Sequence, residues 1–306
     1  MKEVERYRHL NEYLKEKFGE RTLKICVDGG FTCPNRDGTY GYGGCIYCSE
    51  KGSGELINDV KGIREQVEYY FTTYRAKRAN KFIVYFQNFT NTYDTIENLR
   101  KKYNSALIDD RIVGLSIGTR PDCINEDVVK LLKSYTDKYY VCVELGLQTS
   151  NDEIGKIINR GYTSKQFTEA VSLLNKYGID VVTHIMVGLP NETKEDVMNT
   201  VEFVNKHKLQ GIKIHCTYVV ENTFLADMYK KGEYHALDLD YYIETLIDIM
   251  THLNPEFVIH RLTGDAPKDL LVAPKWNVRK MWIISMFEKR FAARDLWQGK
   301  FFKSAH

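Results

Sequence analysis

No apolar run in the 306 residues approaches the roughly 18 needed to span a bilayer, so a membrane segment is not expected. The opening stretch MKEVERYRHLNEYLKEKFGE is charged and helical in pattern. It lacks the apolar centre of a secretory signal. The seven cysteines are too few and too unevenly placed for a disulfide scaffold, and with no signal sequence they point to a reducing cytoplasm and metal ligation. No Gly/Ser-rich linker, low-complexity tract or short repeat divides the chain. Charge of one sign is also missing, the net being +2. What remains, 43% hydrophobic and 27% charged residues, can bury a full core.

Short apolar, β-branched runs alternate with amphipathic segments. Strands are expected at 23–27, 82–86, 112–117, 139–147, 180–189, 211–219 and 256–260. Helices are expected near 61–79, 95–103, 125–136, 164–177, 193–206 and 238–253, several with start signals such as Asn125 and Thr193. Regular alternation of this kind predicts an α/β fold with a parallel sheet. Six or seven units are slightly few for an eightfold barrel, so a partial (β/α)6-type barrel is expected. It would occupy 23–262, with an N-terminal helical extension over 1–22 and a C-terminal extension over 263–306 packed on it as one unit.

The polar clusters fall where such a barrel does its chemistry, at the C-terminal ends of the strands. After the first expected strand comes CPNRDGTYGYGGCIYC, residues 33–48, with three cysteines and four glycines. Cys33, Cys45 and Cys48 alone allow two metals: zinc, if Cys26 is the fourth ligand, or an iron–sulfur cluster with one iron left open. The glycines let backbone amides approach such a group. On the other strand ends lie QNFTNTY, GTRPDC, ELGLQTSND, GLPNET and HCTYVVENT. Glu144 is a lone charge in an apolar strand, which is costly to bury unpaired. It is expected to serve the site or to form a buried pair with Arg120 or Lys213. Arg120 with Asp122, and Lys213 with His215, are spaced two apart and so share a face. Cys123, Cys142 and Cys216 lack ligand spacing and are expected as small core residues.

A three-cysteine loop after the first strand, ending C-x-aromatic-C, resembles the radical S-adenosylmethionine (SAM) superfamily. The eleven residues between Cys33 and Cys45 depart from that superfamily's usual three, as do those of the catalytic subunit of Elongator and its relatives. With YFQNFTNTYD, GLSIGTRPDCI, VELGLQTSND, HIMVGLPNET, GIKIH, VIHRLTGDAP and APKWN in order, the chain is similar to the YhcC/YtqA-type branch from residue 33 to 277. This resemblance implies a radical SAM partial barrel in which Cys33, Cys45 and Cys48 hold a 4Fe–4S cluster and SAM chelates the open iron. It implies that Gln87, Glu144, Gln148, Arg160, Met186 and Gly188 surround SAM, that Arg120, Lys213 and His215 face substrate, and that a flavodoxin- or ferredoxin-type protein donates one electron. One member of the branch acts on tRNA, so conversion of wobble 5-carboxymethylaminomethyluridine to 5-aminomethyluridine is the expected reaction, with Arg120 or Lys213 gripping the carboxylate. No acetyltransferase domain is expected in the 306 residues. The alternatives are a radical SAM enzyme acting on a small metabolite and a zinc-stabilised RNA-binding module.

One further asymmetry bears on the partner. From Lys275 onward there are eight Lys or Arg against Glu288 and Asp295, and all three tryptophans lie there. Basic residues interleaved with aromatics suit tRNA. A closing helix with an aromatic inner face and a solvated basic face is the plainer reading.

Overall fold

The computed structural model of the protein describes residues 5–52 and 62–303. Residues 1–4 of the expected N-terminal extension, residue 61 of the first helical segment and the last three residues lie outside that range. The strands are β1 (Thr22–Val27), β2 (Lys81–Phe86), β3 (Ile112–Thr119), β4 (Tyr140–Gln148), β5 (Asp180–Val187), β6 (Gly211–Cys216), β7 (Val219–Val220), β8 (Val258–Arg261) and β9 (Leu271–Ala273). Seven of them form one curled, all-parallel sheet in the order β1-β2-β3-β4-β5-β6-β8. The edge strands β1 and β8 do not pair with each other, so the barrel is partial, with one more strand than a six-unit reading requires. The run expected as one strand over 211–219 breaks after Cys216. Its end, β7, pairs antiparallel with β9 to make a ribbon on the rim.

Alternation along the strands sorts the side chains. Ile25, Val27, Val84, Phe86, Leu115, Ile117, Val143, Leu145, Ile185, Val187, Ile212 and Ile214 belong to the main core under the helices. The intervening positions Lys24, Tyr85, Ser116, Glu144, His184 and Lys213 face the barrel interior, which is polar. Helix starts follow the sequence signals. Asn125 accepts from the Val128 N–H, and Thr193 forms a reciprocal cap with Asp196.

The termini complete the barrel. Residues 5–9 run beside β8, where the Ile259 N–H donates to the Arg8 carbonyl at 2.8 Å. The helix Leu10–Phe18 then crosses the N-terminal ends of the strands. Its Phe18 ring meets Tyr140 edge-on at 5.9 Å, and Tyr13 bonds Asp180 at 3.5 Å.

In the C-terminal segment the plainer reading holds for much of the charge. The helix Lys280–Ala293 buries Ile283, Phe287 and Phe291, the two rings stacked at 4.9 Å. Arg290 and Arg294 bond Glu244 on the neighbouring helix at 3.1 and 2.6 Å, and Lys280 bonds Asp265 at 2.7 Å. Lys275, Arg279 and Lys289 remain exposed, as does Trp282, with the Arg279 guanidinium 5.8 Å from its ring. Lys275 lies beside β9, its ammonium on the Leu271 carbonyl. Trp297 and Lys300 lie at the other end of the barrel, where Gly299 N–H reaches the Met250 carbonyl at 2.9 Å.

Candidate active site

The C-terminal ends of the sheet enclose a cleft of about 1220 Å³, counting its open mouth, lined by Cys33, Cys45 and Cys48 together with Gln87, Thr90, Arg120, Glu144, Gln148, His184, Met186 and His215.

The cysteine loop is held by its own backbone and by one arginine. Arg36 and Asp37 N–H groups donate to the Cys33 carbonyl at 2.8 and 3.2 Å, and the Cys48 N–H donates to the Cys45 carbonyl at 2.9 Å. The Arg36 guanidinium donates to the Cys48 and Ser49 carbonyls. Gly44 has φ +76°, and a Cβ there would stand 2.8 Å from Arg36 Nε, so this position excludes other residues twice over. Asn159 ties the loop to the segment after β4, donating to the Gly44 carbonyl at 2.7 Å. Among the described residues no three His, Cys, Asp or Glu close on a single point as they would around one ion; the three thiols share the cleft without converging. Burial pushes the Cys45 thiol up, and burial with the neighbouring Cys45 raises Cys48 to about 12. Both are neutral thiols on their own, and metal binding must displace their protons.

At the cleft floor Glu144 is fully buried and takes four donors. Lys24 Nζ and Ser116 Oγ both stand 2.6 Å from Oε1, and His184 Nε2 stands 2.7 Å from Oε2. Lys213 Nζ completes the set on Oε2. Both ammonium groups also lie near the Tyr85 ring, at 5.1 and 4.3 Å from its centroid. Burial alone would raise the Glu144 carboxyl, but Lys213 and Lys24 outweigh it and hold the pKa well below the ordinary range. The buried partner of Glu144 is thus Lys213, with Lys24, and not Arg120. Lys24 is a member of this set that the sequence does not single out, although LKICV carries the same signal as Glu144, a lone charge in an apolar strand. His184 is held neutral, its pKa pushed down to about 4 by burial and then by Lys213.

That last shift has a consequence for stability. The unfolded chain protonates His184 near its ordinary pKa of about 6.5, while the folded chain resists until about 4. The unfolded state therefore binds more protons between these values, and stability falls as pH drops through the window, by roughly 3 kcal/mol for this group. Denaturant titrations at pH 7 and pH 4 should show this loss, reduced in a His184→Leu variant. An unreduced loss in the variant would assign it to other groups.

The remaining expected residues divide. Gln87, Gln148, Met186 and His215 line the cleft. Tyr162 donates to Gln148 Oε1 at 2.6 Å. Burial first, then Arg261, keeps His215 neutral, and its Nε2 is buried without a protein partner, as is Thr90 Oγ1. Arg120 is clamped by Asp122 at 2.9 and 2.6 Å and turns its other nitrogen towards Cys33 Sγ at 4.0 Å. That arrangement makes it a neighbour of the cysteine loop; its bidentate face is not available to a substrate carboxylate. Arg160 is fully buried and donates to the carbonyls of Leu147, Thr149 and Tyr162 and to Asp152. Its role is to brace the end of β4 from behind, and it does not reach the cleft. Gly188 also stands outside the lining; its N–H is held by Glu192 at 2.7 Å.

With this geometry in place, similarity to known proteins decides the family. Residues 33–204 match the Radical SAM superfamily model, and residues 209–293 match the Radical_SAM C-terminal domain. The chain belongs to the radical SAM superfamily. It is 40% identical to the uncharacterized protein YtqA of Bacillus subtilis, over 97% of this chain and 93% of that one. A tRNA uridine(34) acetyltransferase from Dehalococcoides mccartyi is 33% identical over 51% of this chain and 34% of its own length. The fold is shared with an archaeal Elp3 structure from Methanocaldococcus infernus, at a TM-score of 0.69 and 20% identity over 90% of this chain and 64% of that one. As a member of this superfamily the protein is an enzyme that uses a 4Fe–4S cluster and SAM. The cleft suits them. It offers three thiols, and the unpartnered Thr90 hydroxyl and His215 Nε2 await hydrogen-bond partners that the protein does not supply. No helix among the described residues is long and apolar enough to cross a membrane.

Proposed function

We propose that this radical SAM enzyme modifies the wobble uridine of tRNA, converting a 5-carboxymethylaminomethyl group to 5-aminomethyl, with SAM as the oxidant and the carboxymethyl carbons leaving, after hydrolysis, as a two-carbon oxo acid. Cys33, Cys45 and Cys48 hold the cluster; the fourth cysteine of the lining, Cys216, is completely buried with its thiol on the Thr217 carbonyl, which leaves one iron for the amino and carboxylate groups of SAM. When bound, the cluster and SAM supply one-electron cleavage of SAM and hydrogen abstraction from the substrate, with the electron drawn from a flavodoxin- or ferredoxin-type donor. The protein's own residues do the rest. Gln87, Thr90, Gln148 and Met186 line the wall against which SAM lies. Arg120, beside Cys33, places positive charge next to the thiolates. Glu144 fixes Lys213 and His184 at the floor, and His215 presents an unpartnered nitrogen to the substrate.

The observation that carries this reading is the joining of the three-thiol loop to a deep polar barrel in a chain whose similarity includes a tRNA uridine(34) enzyme. Mass spectrometry of tRNA nucleosides from cells lacking the gene tests it. Loss of 5-aminomethyluridine, or of a nucleoside made from it, with accumulation of the carboxymethylaminomethyl form is expected. An unchanged nucleoside profile would remove tRNA as the substrate.

The exposed cations of the C-terminal segment make a second expectation. Lys275, Arg279 and Lys289 are not engaged in ion pairs within the described residues, whereas Lys280 is. Reversing the first three to Glu should weaken tRNA binding and flatten its salt dependence by a slope of about 2 to 3, given roughly 0.7–0.9 per phosphate contact. Binding titrations across salt concentrations read both effects. A triple variant that binds as the parent does would move the RNA footprint elsewhere.

A further inference from the structure

Behind the cleft floor, around Glu144, the barrel interior carries more positive charge than the protein neutralises, and of this charged set Glu144 lines the cleft itself. On the interior of β1, β6 and β8 stand Lys24, Lys213 and Arg261, and Lys280 lies behind Arg261. Glu144 serves both Lys24 and Lys213. Asp265 serves both Arg261, at 3.1 Å, and Lys280, at 2.7 Å. Four cations thus share two carboxylates. The histidines facing this set are kept neutral by burial: His184 bonded to Glu144, His215 beside it with ring centroids 5.3 Å apart, and His260 on Gln210 Oε1. Of the other cations that line the cleft, Arg120 is paired with Asp122 and Arg36 is held by the Cys48 and Ser49 carbonyls.

An excess of two positive charges, with Lys213 and Lys24 largely removed from water, is an unfavourable arrangement for an empty site and a favourable one for an anion. The set lies on strands either side of the seam where β1 and β8 fail to pair, a seam whose β8 edge is bridged by His9 of the N-terminal segment.

We infer that Lys24, Lys213 and Arg261 form an anion site at this seam that receives an acidic oxygen group of the substrate. Resting on the tRNA reading above, it adds to that reading the place where an acidic group of the substrate is received and two residues, Lys24 and Arg261. The acidic group has two possible sources, a carboxylate on the modified base and a phosphate of the RNA backbone. Lys24 stands 2.6 Å from Glu144 at the floor, a depth that a side group on an extruded base reaches more readily than the backbone does.

The test uses RNA hairpins with the sequence of an anticodon stem-loop and one uridine bearing a 5-carboxymethylaminomethyl group, the methyl ester of that group, or no substituent. The parent protein should bind the free acid roughly tenfold or more tighter than the ester, the range of a charged hydrogen bond. Lys24→Gln and Arg261→Gln should each erase that preference, while Lys24→Arg should keep it. If instead both Gln variants weaken all three hairpins equally and lower the salt slope, the site is confirmed with phosphate as its anion. If neither variant changes any hairpin's affinity or the salt slope, the anion site is wrong. Crystals of the parent soaked in sodium bromide read the site without RNA. Anomalous density beside Lys24 and Arg261, absent in Lys24→Gln, supports it, and no density there counts against it. Should the parent bind none of the hairpins, the tRNA reading fails and the bromide density alone decides the anion site.

Discussion

Reconstituted with iron and sulfide in the absence of oxygen, the protein is expected to take up about four iron and four sulfide per chain. Replacing any one of Cys33, Cys45 or Cys48 by Ala should abolish this. The expectation rests on placement as much as on residue type, since of the seven cysteines only these three and Cys216 line the cleft. Cys123 and Cys142 are buried elsewhere. Cys26 stands on β1 two residues from Lys24, outside the lining. Cys216 is completely buried, with its thiol on the Thr217 carbonyl at 3.3 Å, and burial pushes it well up, as expected of a core thiol. Variants of these other four should keep the cluster. Metal analysis and the absorbance of the reconstituted variants decide the matter. If Cys26 proves as necessary as Cys33 and the metal is zinc, then the loop is a structural zinc site in this chain.

The second large effect is expected at Glu144. Its two oxygens hold two lysines, a histidine and a serine in the barrel interior. Removing one member of a buried charge set strands the others, at a cost of about 3–5 kcal/mol. Glu144→Ala should therefore lower the unfolding midpoint by roughly 10 °C and disorder Lys213 and His184 together. Replacing the whole charged group by apolar residues, in the triple variant Lys24→Met, Lys213→Met, Glu144→Leu, should recover most of that stability, because no charge is then left unpaired. The recovered protein should still fail to turn over tRNA. A Glu144→Ala protein that melts with the parent would show that the set is not held by this carboxylate. Turnover by the triple variant would show that the set has no part in the reaction.

Much of this was legible in the residues because each signal has one physical cause. β-branched runs with helical segments between them specify a parallel α/β sheet, and all seven expected barrel strands are present. Asn125 and Thr193 start helices because their side chains satisfy free N–H groups. The cysteine loop was legible because thiols, glycines and a strand end rarely coincide without a metal.

The pairings were not legible, since they depend on register between distant strands. Nothing local in GTRPDC says that Arg120 closes on Asp122 and not on a ligand. Arg160 reads as a free cation, yet four acceptors from three stretches of chain surround it. Lys24 was missed because a lysine near the start of a strand is ordinarily solvated. Only the parallel pairing of β1 through β6 brings it to Glu144, 120 positions away. The C-terminal basic segment is legible only in part for the same reason, since Arg290 and Arg294 are paired while Lys275, Arg279 and Lys289 stay exposed. Its partners Glu244 and Asp240 lie on a helix some 50 positions earlier.

The most direct measurement gives reduced, reconstituted protein SAM and tRNA from cells that lack the gene, and counts 5′-deoxyadenosine and modified nucleosides in the same reaction. The expected result is 5′-deoxyadenosine formed in step with loss of 5-carboxymethylaminomethyluridine and gain of 5-aminomethyluridine, with neither product from the Cys33→Ala, Cys45→Ala or Cys48→Ala proteins. SAM cleavage at the same rate with and without tRNA, and no change in any nucleoside, would contradict a tRNA-modifying enzyme. No cleavage at all by fully clustered, reduced protein would contradict the assignment of the site itself.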